Sequence, residues 1–196
     1  MQPLTQKDLW PLPVYEGVRD QFRREVIAAK QDRRLSVGPY MTFVFENRLT
    51  VKFQVQEILR VEKISQPGQV QEELDGFNPM LPTAGNLSAT LLVELTGPEA
   101  EVAAELRRLS GLGSHVFLEI GGQRHAAELE GGRDDGRRIS AVQYVRFPVG
   151  PTAAALLAEA KPAALVIDHP HYTHRLALTE GMSRSLAKDL APEQAG

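Results

Sequence analysis

The sequence predicts an α+β domain: a single, largely antiparallel sheet of five to seven strands with flanking helices. Three observations predict it. Segments such as YMTFVF (40–45) and NLSATLLVEL (86–95) are rich in β-branched and aromatic residues or alternate with period two, as strands do. Others repeat apolar residues every three or four positions, as one face of a helix does. Several strands follow one another across short turns and no even strand–helix–strand alternation appears, which favours antiparallel pairing.

In chain order, Val14, Val18, Phe22, Val26 and Ala29 form an apolar stripe, so a helix is expected after Pro11 and Pro13, ending before Gly38-Pro39. Arg23, Arg24, Lys30, Arg33 and Arg34 gather towards its C-terminal half and complement the helix dipole. The strand YMTFVF leads through Glu46, Asn47 and Arg48 into a helix capped by Thr50, whose Val51, Val55, Ile58 and Leu59 share one face and whose pattern runs on to Ile64. A short helix is expected from Gln69 to Leu74. The next strand turns Leu87, Ala89, Leu91, Val93 and Leu95 to one side. Thr96 and Glu99 read as a capping box for a helix stopped by Gly111. Gly121-Gly122 is a tight hairpin turn between two strands, and 130–138 is a charged loop. A strand over 139–147, a helix over 150–160, and strands AALVID and HRLALT follow. Thr179 caps a last helix carrying Met182, Leu186 and Leu190. The expected organisation is a single domain over 1–190, with 1–36 as a helical element packed on it and 191–196 as a disordered tail.

Composition narrows the function classes. The chain has 196 residues, a net charge of −3, and 42% hydrophobic residues. Those figures describe an ordinary globular protein with no global attraction to nucleic acid. No apolar run approaches the ~20 residues of a membrane span, and the N-terminus lacks the apolar core of a secretory signal, so a cytoplasmic location is expected. With no cysteine, disulfides, thiol catalysis and a self-contained iron–sulfur site are excluded, and a transition metal would need His, Asp, Glu or backbone oxygen. No nucleophile elbow, zinc-protease helix, phosphate loop or dinucleotide fingerprint occurs.

The segments FENRLTVKFQVQEILRVEKI (45–64), FNPMLP (77–82), NLSATLLVE (86–94) and DHPHYTH (168–174) resemble the bacterial domain-of-unknown-function family 3501 in order and spacing across nearly the whole chain. The family's pattern falls here on Glu46, Asn47, Arg48, Gln56 and Glu57, and on His169, Pro170, Tyr172 and His174, with His171 at a variable place. Ile58 stands where Met is usual and Phe77 where Tyr is usual; the second departure removes a phenol from consideration. The resemblance implies a setting rather than a reaction. Its members occur beside a rubrerythrin-like protein and a heterodisulfide-reductase-like iron–sulfur protein, which implies oxidative stress or electron transfer.

Three places are candidate sites. The DHPHYTH loop packs three of five histidines into seven positions. Pro170 holds His169 extended, and a hairpin would bring His169 and His174 to flank one turn. Two imidazoles with a carboxylate, Glu57 or Glu46, would suit Fe(II), Mn(II) or Zn(II). The alternative is a polar turn anchored by Tyr172. At Glu46-Asn47-Arg48, a helix N-terminus beside a guanidinium could take a small anion. Asn47 and Thr50 also explain themselves as turn and cap residues, and a Glu46–Arg48 network fixing the corner is the favoured reading there. On the helix, Gln54, Gln56, Glu57, Arg60 and Glu62 offer either an inward carboxylate with a raised pKa, fit to be a ligand or base, or an exposed face of ordinary pairs. The leading expectation is an accessory protein of redox or peroxide-stress metabolism. It would hold a metal ion or small anion between the 168–174 loop and the helix 50–64, with His169, His174 and Glu57 as ligands and Glu46, Asn47, Arg48, Gln56 and Tyr172 nearby. The alternative is a non-catalytic module docking an iron–sulfur electron-transfer protein. His115 and His125 read as surface residues.

Overall fold

The computed structural model describes residues 1–131 and 138–190. The predicted α+β class and the antiparallel pairing are both present. Strands β1 (Arg34–Val37), β2 (Met41–Phe45), β3 (Asn86–Val93), β7 (Val142–Pro148) and β6 (Glu128–Leu129) form one sheet in that order. Strands β5 (Gln123–Ala126), β4 (Val116–Ile120), β8 (Ala163–His169) and β9 (Tyr172–Ala177) form a second. The single sheet expected from the sequence is therefore two. The division falls at Ala127: β5 pairs with β4, the Ala127 N–H donates to Val116 O at 2.8 Å, and the chain bends so that β6 pairs with β7.

The alternation read from the sequence sets the faces. Leu87, Ala89, Leu91 and Val93 of β3 meet Phe43 and Phe45 of β2, Val145 and Phe147 of β7, and Val116, Leu118, Leu165 and Ile167 of the second sheet in one core. Helices α4 (Glu99–Arg108), α5 (Ala153–Ala158) and α6 (Glu180–Leu190) add Leu106, Leu157 and Leu186 to it. On the other side of the five-stranded sheet lie α1 (Leu12–Lys30), α2 (Arg48–Val61) and α3 (Pro67–Phe77). Val51, Val55, Leu59 and Leu74 pack there with Leu4, Met80 and the partly buried Tyr144 of β7. On β7 the alternate residues Val145 and Phe147 belong to the other core, so the sheet separates the two layers.

Several local expectations are corrected. The segment Arg34–Val37, assigned to the end of the first helix, is a strand, because Leu35 and Val37 alternate into the core against Phe43 and Met41 of β2. The buried stripe of α1 is Tyr15, Phe22 and Val26, while Val14 is 49% exposed. Asn47, not Thr50, caps α2: its side chain accepts from the Thr50 N–H at 3.0 Å and the Thr50 hydroxyl accepts from the Asn47 N–H at 2.9 Å. That helix ends at Val61 rather than Ile64. The Thr96–Glu99 box does not form; Pro98 precedes α4 at the cap. α3 extends beyond the predicted Gln69–Leu74. Thr179 does cap α6, accepting from the Met182 N–H at 3.2 Å. Most of the charged loop, 132–137, and the tail 191–196 lie outside the described residues. No helix among the described residues is long and apolar enough to cross a membrane.

Candidate functional site

The histidine segment is a hairpin, with Pro170-His171 as the turn and His169 opposite Tyr172. His169 is buried, at 4% exposure. Its Nδ1 accepts from the His171 N–H at 3.3 Å and its Nε2 lies 3.2 Å from Ser110 O, so the hydrogen bonds require the neutral ring with the proton on Nε2. Burial lowers its basicity, and the neighbouring imidazoles of His115 and His171 act the same way. His174 has different neighbours. Its ring lies 4.5 Å from that of Tyr172 and against the Gly38 turn, where a Cβ would meet His174 Cδ2 and Tyr172 Oη at 2.5 Å. Gly38 has φ +73°, so glycine is required there by conformation and by space. Tyr172 Oη donates to Val37 O at 2.5 Å and accepts from the Met41 N–H at 3.2 Å, tying the second sheet to the β1–β2 turn.

The residue that sequence reasoning missed is His115. Antiparallel pairing of β4 with β8 sets Val116 opposite Ile167, so His115 meets Asp168. Its Nδ1 is 3.3 Å from Asp168 Oδ1, and its ring is 5.1 Å from that of His169, which is in turn 5.7 Å from that of His171. Asp168 also accepts from Arg124 at 2.9 Å, and Arg124 and Arg175 share Glu119 on the outward face of the second sheet. Nothing in the local sequence around His115 signals this neighbourhood; strand pairing alone produces it.

Glu57 does not join the histidines. It stands on α2, across the five-stranded sheet, where Arg19 grips it in a fork at 2.8 Å and 2.8 Å and Tyr15 Oη donates at 2.8 Å. The carboxyl is held down to about 2 by Arg19 first, with Tyr15 and Arg60 adding to it against the effect of burial. The raised pKa expected of an inward ligand or base is thus replaced by its opposite. Burial and the Glu57 charge push the Tyr15 hydroxyl up in return. Glu46 is buried and accepts from the hydroxyls of Thr50 and, at 2.6 Å, Thr90. It makes no pair with Arg48, which reaches Asp8 at 2.7 Å instead. Gln56 is buried and joined twice to Trp10, accepting from its N–H at 2.7 Å and donating to its carbonyl at 3.4 Å.

These residues have a common role. Arg48, Gln56 and Glu57, with Asn78 of the FNPMLP segment, fasten the chain's first nineteen residues to the helical layer. Asn78 accepts from the Leu4 N–H at 2.7 Å and donates to Leu4 O at 3.0 Å. Between this N-terminal strap and the ends of α2 and α3 lies a cleft of about 300 Å3 with largely apolar walls. A second cleft, of about 220 Å3, runs between α3 and the β6–β7 edge past Met80, Ser88, Glu128, Tyr144 and Arg146. Among the described residues, no group of three or more His, Asp or Glu side chains is placed to hold one metal ion.

The family model "Protein of unknown function (DUF3501)" matches residues 3–190. The chain belongs to this family. The strap fastenings and the histidine hairpin are therefore features of a DUF3501 protein, at positions the sequence resemblance had marked. A crystal structure of a novel protein of unknown function from Burkholderia pseudomallei K96243 is similar to this DUF3501 chain, with 34% identity and a TM-score of 0.91 over 97% of this chain and 100% of that one. No curated protein matches.

Proposed function

We propose that this DUF3501 protein is a non-catalytic docking module of the cytoplasm, accessory to redox or peroxide-stress metabolism, and that its partner is an iron–sulfur electron-transfer protein of the heterodisulfide-reductase type. One observation supports a module over an enzyme: four of the marked polar side chains are engaged inside the molecule. Glu57 is held by Arg19 and Tyr15, Glu46 by two threonine hydroxyls, Gln56 by Trp10, and His169 at both ring nitrogens. A general base or nucleophile needs a lone pair directed at substrate, and these are directed at the protein. The redox setting and the partner rest on the family resemblance.

The test is co-purification. The chain, carrying a tag without histidines, is expressed with the heterodisulfide-reductase-like protein and, separately, with the rubrerythrin-like protein. A stoichiometric complex with the first that survives gel filtration is the expected result; no complex with either rejects the module reading. An intact complex with His169→Ala removes the hairpin from the interface.

A second reading keeps a metal ion at the hairpin, where the His115 and His169 rings lie beside Asp168; since no three such side chains among the described residues are placed to hold one ion and both His169 nitrogens are engaged, it requires these rings to turn. Fe, Mn or Zn bound there would raise the melting temperature of the untagged protein and appear in elemental analysis. Substoichiometric metal with no thermal shift excludes it.

A further inference from the structure

The cleft beside the N-terminal strap is lined by Leu9, Trp10, Leu12, Leu59, Ile64 and Val70, with Gln6 and Ser65 as its polar side chains and no charged residue in its walls. We propose that it binds a small, uncharged, largely apolar molecule, the size of one ring or a short branched chain, with a single hydrogen-bonding group facing Gln6 and Ser65. This goes beyond the docking reading and does not rest on it.

Three features support the assignment. The first is size: about 300 Å3 sits at the lower end of the range of small-molecule sites, which suits one ring and its substituents. The second is chemistry. A charged ligand would shed water against apolar walls with no opposite charge to replace it, so binding favours a neutral molecule. Gln6 directs its amide nitrogen at Pro67 O, 3.0 Å away, and at Gln71, which leaves its carbonyl oxygen as the acceptor for a ligand hydroxyl or N–H.

The third feature is rigidity. The strap wall is fixed on both sides of the cleft: Leu4 is bonded twice to Asn78, Asp8 to Arg48, and Trp10 twice to Gln56. The Trp10 indole is further held by the Lys52 ammonium 3.6 Å from its ring centre and by the Phe22 edge at 5.0 Å. Burial lowers the Lys52 pKa, in keeping with an ammonium drawn against this aromatic group. A wall already ordered loses little conformational freedom when a ligand enters, so even a small molecule retains affinity. Arg48 and Gln56, which carry the family's pattern, and Asn78 of the FNPMLP segment thus serve to set this wall.

Trp10 is the chain's only tryptophan, so its emission reports the cleft directly. The probes are cyclohexanol and, as a charged match of similar shape, cyclohexanecarboxylate. Cyclohexanol is expected to shift Trp10 emission saturably, and the carboxylate to bind at least about tenfold more weakly. Val70→Phe, which fills the cleft from α3, is expected to abolish the response. Methyl NMR on the unmodified protein supplies a reading independent of that variant's folding, with shifts expected at Leu9, Leu12, Leu59, Ile64 and Val70. A non-saturating response, equal binding by the carboxylate, methyl shifts centred elsewhere, or a response to apolar peptides but not to cyclohexanol overturns the proposal. Loss of the iron–sulfur complex bears only on the docking reading, because this titration needs no partner protein.

Discussion

Replacing Glu57 by Gln tests whether that carboxylate is a structural fastening. In the folded protein it sits at about 2 against an ordinary 4.5, chiefly because of the Arg19 fork. The folded state therefore binds the proton more weakly than the unfolded chain. The stabilisation is fully present above about pH 4.5 and is lost as pH falls towards about 2. At ~1.4 kcal/mol for each tenfold change in proton affinity, the depression corresponds to about 3 kcal/mol at neutral pH. Water reaches the pair, whose side chains are 28% and 22% exposed, and screening reduces the expected effect to about 2 kcal/mol. Urea unfolding of wild type and Glu57→Gln, followed by circular dichroism, measures it. The gap should be about 2 kcal/mol near pH 7 and less than half that near pH 3. A variant as stable as wild type near pH 7, or a gap that does not change with pH, refutes the reasoning.

Two further contacts test the framework. Arg33 and Asp189 form a buried fork at 2.6 Å and 3.1 Å that ties the start of β1 to α6, and burial pushes the Asp189 carboxyl up against the pull of the guanidinium. Asp189→Ala should cost about 3–5 kcal/mol by leaving Arg33 buried and unpaired, and Arg33→Met with Asp189→Leu should recover most of it; a double variant as weak as the single one contradicts this. Tyr172→Phe should cost about 1–3 kcal/mol and speed amide exchange at Met41, since Val37 O and the Met41 N–H lose their common partner; unchanged exchange there counts against the link.

Much of the fold is legible in the chain because short-range chemistry sets it. The period-two run of Leu87, Ala89, Leu91 and Val93 fixes a buried face wherever the strand goes. Gly121-Gly122, both at positive φ, make a tight turn in any tertiary setting. The break at Ala127 was not legible, since alternation says which side is buried and nothing about which strand lies alongside. Arg34–Val37 reads as the end of a helix for a related reason: four residues hold too little of either period to outweigh the helix preceding them.

For the site, sequence alone determined the inventory: no thiol, a histidine hairpin, and a set of polar residues on α2 and beside it that the family pattern picks out. Only the tertiary structure decided their partners. Glu57 met Arg19 and Tyr15 instead of His169 because α1 covers α2 on the far side of a sheet, and His115 met Asp168 because β4 runs antiparallel to β8. Hydrogen bonds and ion pairs act over a few ångströms, and the contacts that satisfy these groups join residues 38 to 74 places apart in the chain, a proximity that exists only once the layers have packed.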